Sequence, residues 1–266
     1  MKTRMSRLKT GITEFDEMLH GGFLEGDAVM VAGAAGSGKT TLALQYLVNG
    51  ATKFGQNGIY VTFEQMPDQI YRDAESFGWD LKRLEQEGKF QLICTSPDLL
   101  VNKNGAEELL GDPIRELNPK RMVIDSVSHL QMFVPEGDVR REVYRLVMFL
   151  KTKGISSMLL WENPQMLGSS YSITDVGLSF MVDAIVALRA VEIESSMRRA
   201  LGILKMRGSD HDKHLREYEI TPHGIRVDQP FSQYEGLMSG SPRRVAGEKF
   251  VDLFKAASDK KKSAVG

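Results

Sequence analysis

The chain has 266 residues, 42% hydrophobic and 26% charged, with a net charge of −1: enough to bury one α/β core, and no overall attraction for nucleic acid or an anionic membrane. Its one cysteine, Cys94, excludes an intrachain disulfide and fits a reducing cytoplasm. The basic start, MKTRMSRLKTG, has no apolar stretch behind it, so a signal peptide is not expected, and no run nears the roughly 20 apolar residues of a membrane helix.

The first segment, TGITEFDEMLHGGFLEGD, predicts a short helix: Thr13 and Asp16 have capping-box-like spacing, and Gly21-Gly22 supplies the stop. AVMVAG is an apolar strand running into a glycine loop. TTLALQYLVNGATKFG follows as a helix with Leu42, Ala43, Tyr46 and Leu47 toward one side. GIYVTFE, FQLICT, RMVID and ISSMLLW then read as strands. PDQIYRDAESFG, with Pro67 at its start, and VRREVYRLVMFLKTKG, ended by Gly154, read as helices. Between them NGAEELLGDPIRELN predicts a helix interrupted near Pro113.

This alternation predicts an α/β fold, a mostly parallel sheet with helices on both faces. From MVDAIVALRAVEI onward the pattern changes to successive strands, RALGILKMRG and LREYEITPHGIRV, which predict an antiparallel extension at one sheet edge. One domain is expected over residues 1–245. Residues 246–266, which open with an amphipathic pattern and close in a lysine run, are expected to be a basic tail, helical or disordered.

Gly33–Thr40, GAAGSGKT, has the spacing of a phosphate-binding loop, with a strand before it and a helix behind it as the motif requires. Gly36, Ser37, Gly38, Lys39, Thr40 and Thr41 are the expected nucleotide contacts. The glycines let backbone N–H groups converge on phosphate, Lys39 adds a cation at the outer phosphates, and Thr40 can bind Mg²⁺.

Asp125 closes RMVID, where a carboxylate can hold Mg²⁺ through water. Aspartate at a strand end also caps helices, but beside such a loop the metal role is preferred. Glu64, at the end of GIYVTFE, can orient and deprotonate a water for attack on a γ-phosphate, or be a surface glutamate; spacing does not separate the two. Lys205 and Arg207, two apart in GILKMRG, project from one strand face. They can neutralise a transferring phosphate as an arginine finger does, or line an exposed face with salt bridges, and on the residues alone the second is preferred. His211 and His214, with no cysteine nearby, read as a polar turn rather than a metal site.

The run TGITEFDEMLHGGFLEGDAVMVAGAAGSGKTTLALQYL is followed in order by VTFEQ, SFGWDL, VIDSVSHL, SITD, KMRGSDHDKHLREYEIT and SGSPRR. From about Thr10 to Arg244 the chain thereby resembles the KaiC-type ATPases of the RecA-like superfamily. The resemblance implies a RecA-like sheet and a homo-oligomeric ring, usually a hexamer, with ATP and Mg²⁺ at each subunit interface. It implies that Glu64 is the first of a catalytic glutamate pair, and that Lys205 and Arg207 reach the γ-phosphate of a neighbour's ATP. Met206, Ser209 and His211 fall where the neighbour contacts nucleotide, and Ser76 where the subunit's own chain does.

There are two departures from the family pattern. Gln65 stands in place of the second glutamate. Ser179 and Phe180 fall at a phosphorylated Ser-Thr pair, while Thr174 is kept, so self-phosphorylation is expected to be weak or absent. The expected function is ATP hydrolysis by a ring that signals to, or regulates, a protein partner. The alternatives are an autokinase of the same type and a RecA/RadA-like recombination ATPase. The second is disfavoured by the near-neutral charge and the lack of a basic or glycine-rich DNA loop.

Overall fold

Short apolar runs that end in glycine or polar turns build one nine-stranded sheet. The computed structural model describes residues 6–101, 103–163, 177–232, 234–237 and 243–244. In chain order its elements are β1 (Arg7–Leu8), α1 (Thr13–Met18), β2 (Phe23–Leu24), β3 (Ala28–Gly33), α2 (Lys39–Lys53), β4 (Gly58–Thr62), α3 (Pro67–Ser76) and α4 (Leu81–Gln86). Then come β5 (Phe90–Cys94), α5 (Gly105–Leu117), β6 (Arg121–Asp125), α6 (Glu136–Thr152) and β7 (Ser156–Glu162). The remaining strands are β8 (Ala184–Ile193), β9 (Ser196–Met206), β10 (Arg216–Thr221), β11 (Gly224–Pro230), β12 (Tyr234–Glu235) and β13 (Arg243–Arg244).

The sheet order is β11-β10-β9-β8-β3-β7-β6-β4-β5. Every neighbouring pair from β8 to β5 is parallel. Strands β9 to β11 extend the β8 edge antiparallel, as the change of pattern predicts. Leaving β3 the chain crosses to β4 on one side, and it later returns to β8 on the other. The carboxyl end of β3 is therefore a topological switch point, where open α/β sheets bind ligands.

Strand alternation divides the buried residues between two faces. Val29, Val31, Val123, Met158 and Leu160 join one core with Leu42, Ala43, Tyr46 and Leu47 of α2 and Phe15 and Met18 of α1. Met30, Ala32, Ile124, Leu159 and Trp161 face the other core, with Leu110 of α5 and Val139, Val143, Leu146 and Leu150 of α6. The i, i+3/i+4 spacing along α6 is the apolar stripe such a layer requires.

Three local expectations are corrected. Asp16 makes no capping box with Thr13: the helix is capped at Ile12 without a side-chain bond. The Asp16 carboxylate instead accepts from Thr10 N (2.6 Å), Thr10 Oγ1 (2.8 Å) and Gly11 N (3.0 Å), because the preceding turn folds back onto it. Pro113 does not interrupt α5, which is continuous around it. The missing N–H removes one bond, while Leu110, Leu109, Ile114 and Leu117 hold the helix on the sheet. Finally, β4 stops at Thr62 rather than at Glu64. The Thr62 hydroxyl lies 3.4 Å and 3.2 Å from the amides of Glu64 and Gln65, offering the backbone an alternative to the ladder. Residues 246–266 lie outside the described residues.

Candidate functional site

The glycine loop leaves β3 at the switch point and enters α2. Gly36 and Gly38 have φ of +73° and +85°, a left-handed backbone that curls such a loop toward an anion. A Cβ on Gly38 would also stand 2.9 Å from Ile220 Cδ1. Ser37 is held from behind, its carbonyl accepting from the Tyr218 hydroxyl, while its own buried Oγ has no partner among the described residues. Lys39 is 8% exposed, and its Nζ donates to Gly33 O and Ala34 O, both at 2.9 Å. Burial lowers its pKa, and Glu162, Asp125 and Glu64 act in the opposite sense, so three carboxylates converge on this ammonium.

Asp125 caps no helix through its carboxylate. Its Oδ2 accepts from Thr40 Oγ1 at 2.8 Å and from the Tyr60 hydroxyl. Burial, then the charge of Asp125, raises the Tyr60 pKa well above its ordinary value, so the phenol keeps its proton and donates it. Thr40 and Asp125 thus form an all-oxygen set at the mouth of the loop, the donor type Mg²⁺ takes. The Thr40 proton points to Asp125 and leaves the hydroxyl lone pairs for a cation.

Glu64 stands two residues beyond β4 with a side chain 68% exposed, its Oε2 3.6 Å from His129 Nε2. Gln65 turns the other way, its Oε1 buried without a partner among the described residues.

Lys205 lies in β9, but Arg207 lies in the turn just beyond it, so the two do not share a strand face as the spacing predicts; both reach one neighbouring segment instead. Lys205 Nζ donates to Ser179 O (2.5 Å) and Val182 O (2.7 Å), and Arg207 donates to Phe180 O (2.7 Å). Asp183 braces Arg207: its carbonyl accepts the Arg207 amide at 2.8 Å, and its carboxylate lies 3.8 Å from the guanidinium. The register places Met206 opposite Ala184, and Ala184 beside Val29 near the start of β3, whereas the glycine loop leaves the other end at Gly33. Lys205 and Arg207 therefore lie at the opposite end of the sheet from their own loop. The separation is about 10–15 Å along the strands and about 10 Å across them.

Ser76 closes α3 and donates to Asp73 O, in a turn where Phe77 and Trp79 stack at 4.8 Å. Met206 is buried in the core, and Ser209 accepts from Arg7. His211 is buried beside Lys213, and its pKa is lowered by burial first and by that ammonium second. His214 pairs with Asp212, and no cluster of metal-binding side chains occurs among the described residues. Thr174 lies outside them. Sequence reasoning did not single out Tyr60, His129, Glu162 or Tyr218. A hydroxyl or imidazole in an apolar strand or turn leaves no periodic mark.

A glycine loop at the switch point, a buried lysine within it and a Thr–Asp oxygen pair beside it define a RecA-like α/β protein built to hold a nucleoside triphosphate. Comparison with known proteins narrows the class. The family model "ATPase: KaiC" matches residues 8–232, and the chain belongs to the KaiC family of ATPases, whose ATP-binding domain it carries. It is 36% identical over 256 residues to the "Circadian clock oscillator protein KaiC" of Acaryochloris marina, covering 96% of this chain and 48% of that protein. It is 34% identical over 240 residues to the "Circadian clock protein KaiC3" of Synechocystis sp., covering 90% and 47%. The chain spans about half the length of the curated relatives it matches. Among the described residues no helix is long and apolar enough to cross a membrane.

Proposed function

We propose that the chain hydrolyses ATP with Mg²⁺ at the interfaces of a homo-oligomeric, hexameric ring, and that its nucleotide state acts on a protein partner. The observation that carries this reading is the opposed placement of the phosphate loop and the Lys205–Arg207 pair. Neither half of the chemistry can complete the other within one subunit. A head-to-tail ring sets one subunit's β9 end against the next subunit's loop and joins them.

In each site Gly36, Ser37, Gly38, Lys39, Thr40 and Thr41 cradle the phosphates. Thr40, and Asp125 through water, would hold Mg²⁺, which when bound would supply positive charge to the outer phosphate oxygens. Glu64 takes a proton from the attacking water, at the carboxyl end of the sheet where the γ-phosphate would lie. The neighbour's Lys205 and Arg207 exchange their carbonyl bonds for charged oxygens of the transferring phosphoryl group, a stronger kind of acceptor than a carbonyl.

The test is turnover measured against protein concentration, with mass determined in the same samples. Specific activity is expected to follow the assembled fraction and to approach background in a dilute monomer. Constant specific activity in a sample that is monomeric throughout would overturn the interface reading.

A further inference from the structure

Glu64 is the most exposed of the carboxylates around Lys39, and an exposed base has many rotamers of which few face a phosphate. One side chain among the described residues stands within ion-pair distance of its carboxylate. His129 lies in the turn after β6, with Nε2 3.6 Å from Glu64 Oε2 and a side chain only 25% exposed. Its other nitrogen, Nδ1, is 3.0 Å from Ser126 Oγ. Ser126 Oγ is 2.5 Å from Ser128 Oγ, which in turn receives the Glu162 amide at 3.3 Å.

A backbone N–H only donates, so Ser128 Oγ accepts from Glu162, while either hydroxyl can donate between Ser126 and Ser128. The direction at the imidazole is set from its other side, by the Glu64 carboxylate that Nε2 faces. A proton on Nε2 is aimed at that carboxylate, and Nδ1 then accepts from the Ser126 hydroxyl. The reverse tautomer would donate from Nδ1 to Ser126 Oγ at 3.0 Å or to Ser126 O at 3.3 Å. It would also turn the Nε2 lone pair against a carboxylate. The chain therefore crosses three adjacent strand ends, from β7 beside the phosphate loop, through the turn after β6, to the segment after β4.

We propose that His129 is a positioning residue for Glu64: its Nε2–H fixes the carboxylate in the orientation that receives a proton from water. The inference rests on the reading of Glu64 as the base. At 3.6 Å the contact is longer than a hydrogen bond, and rotation of the exposed Glu64 side chain closes it, as catalytic hydrogen bonds tighten when substrate engages. Gln65 does not supply this restraint, since its amide oxygen is turned inward.

The experiment uses the full chain with Mg-ATP, measuring kcat and nucleotide affinity separately. His129→Ala is expected to lower kcat about tenfold, the worth of a hydrogen bond to a charged group, with affinity unchanged. His129→Gln, whose amide N–H₂ can reach where Nε2–H stood, should recover most of the loss. In a Glu64→Gln background His129→Ala should cost nothing further, because the group it positions is gone. Wild-type kcat in His129→Ala, or equal losses with and without Glu64, overturns the proposal while leaving Glu64 as the base. Undiminished turnover in Glu64→Gln alone overturns the base assignment and the inference with it. Should His129→Ala fail to fold, Ser128→Ala breaks the chain one step upstream, and it must lower kcat without changing affinity.

Discussion

At Lys39 burial and charge act against each other. Desolvation lowers the pKa of its ammonium, while Glu162, Asp125 and Glu64 all favour the protonated form. Two carbonyls at 2.9 Å fix Nζ against the loop. Removing that cation leaves three carboxylates around the place an anionic phosphate must occupy. Lys39→Ala is therefore expected to weaken nucleotide binding about tenfold to a hundredfold or more, the scale of a lost charge-assisted bond, with little change in melting temperature. Titration with a fluorescent nucleotide checks this, and unchanged affinity would mean the loop does not hold the phosphates. The loop motif with Lys39 and Thr40 was legible because its chemistry needs fixed spacing along one strand-loop-helix unit, and Asp125 because it closes an apolar strand. Tyr60 and His129 reach the same site from different elements, so only the assembled sheet shows them as its members.

The elements were legible where apolar periodicity is strong, as in the parallel strands and in α6. They were misread where a side chain chose a tertiary partner over a local one, as Asp16 did with Thr10 and Gly11. A similar competition at the start of β3 makes a testable prediction. Asp27 precedes that strand, and its Oδ2 is buried with no partner among the described residues. Desolvation first, then Asp183, raises its pKa from 3.8 to about 6, against the weaker opposing effects of Lys151, the Leu24 backbone and Arg7. Between those two values the unfolded chain is ionised while the folded chain holds its proton. Raising the pH through that window therefore weakens the folded state, and above about 6 the loss is complete. Asp27→Asn has no charge to bury. Its urea midpoint should match the wild type near pH 4 and exceed it at pH 7, and a difference that stays constant between those pH values would refute this account.

At the scale of the whole molecule, the sheet separates a phosphate loop at one end from two cations at the other. If those cations serve a neighbour, the two functions must be separable by mutation and recoverable by mixing. An Arg207→Ala subunit keeps its loop and its Glu64 but fails the adjacent site. A Glu64→Gln subunit has the opposite defect, since its own site is dead while its Lys205 and Arg207 remain. In rings mixed at equal ratio, about a quarter of the interfaces pair an intact Glu64 with an intact Arg207 by random assembly of head-to-tail contacts. A missing arginine finger costs on the order of 10³-fold in phosphoryl transfer, so activity from a quarter of the sites stands far above either single mutant. Turnover of the mixture, compared with each variant alone at the same total concentration, measures the recovery. Subunit exchange is verified by mass with one variant isotopically labelled. If exchange is complete and the mixture is no faster than its parents, Arg207 does not act across an interface. The opposed placement would then be a feature of the fold alone.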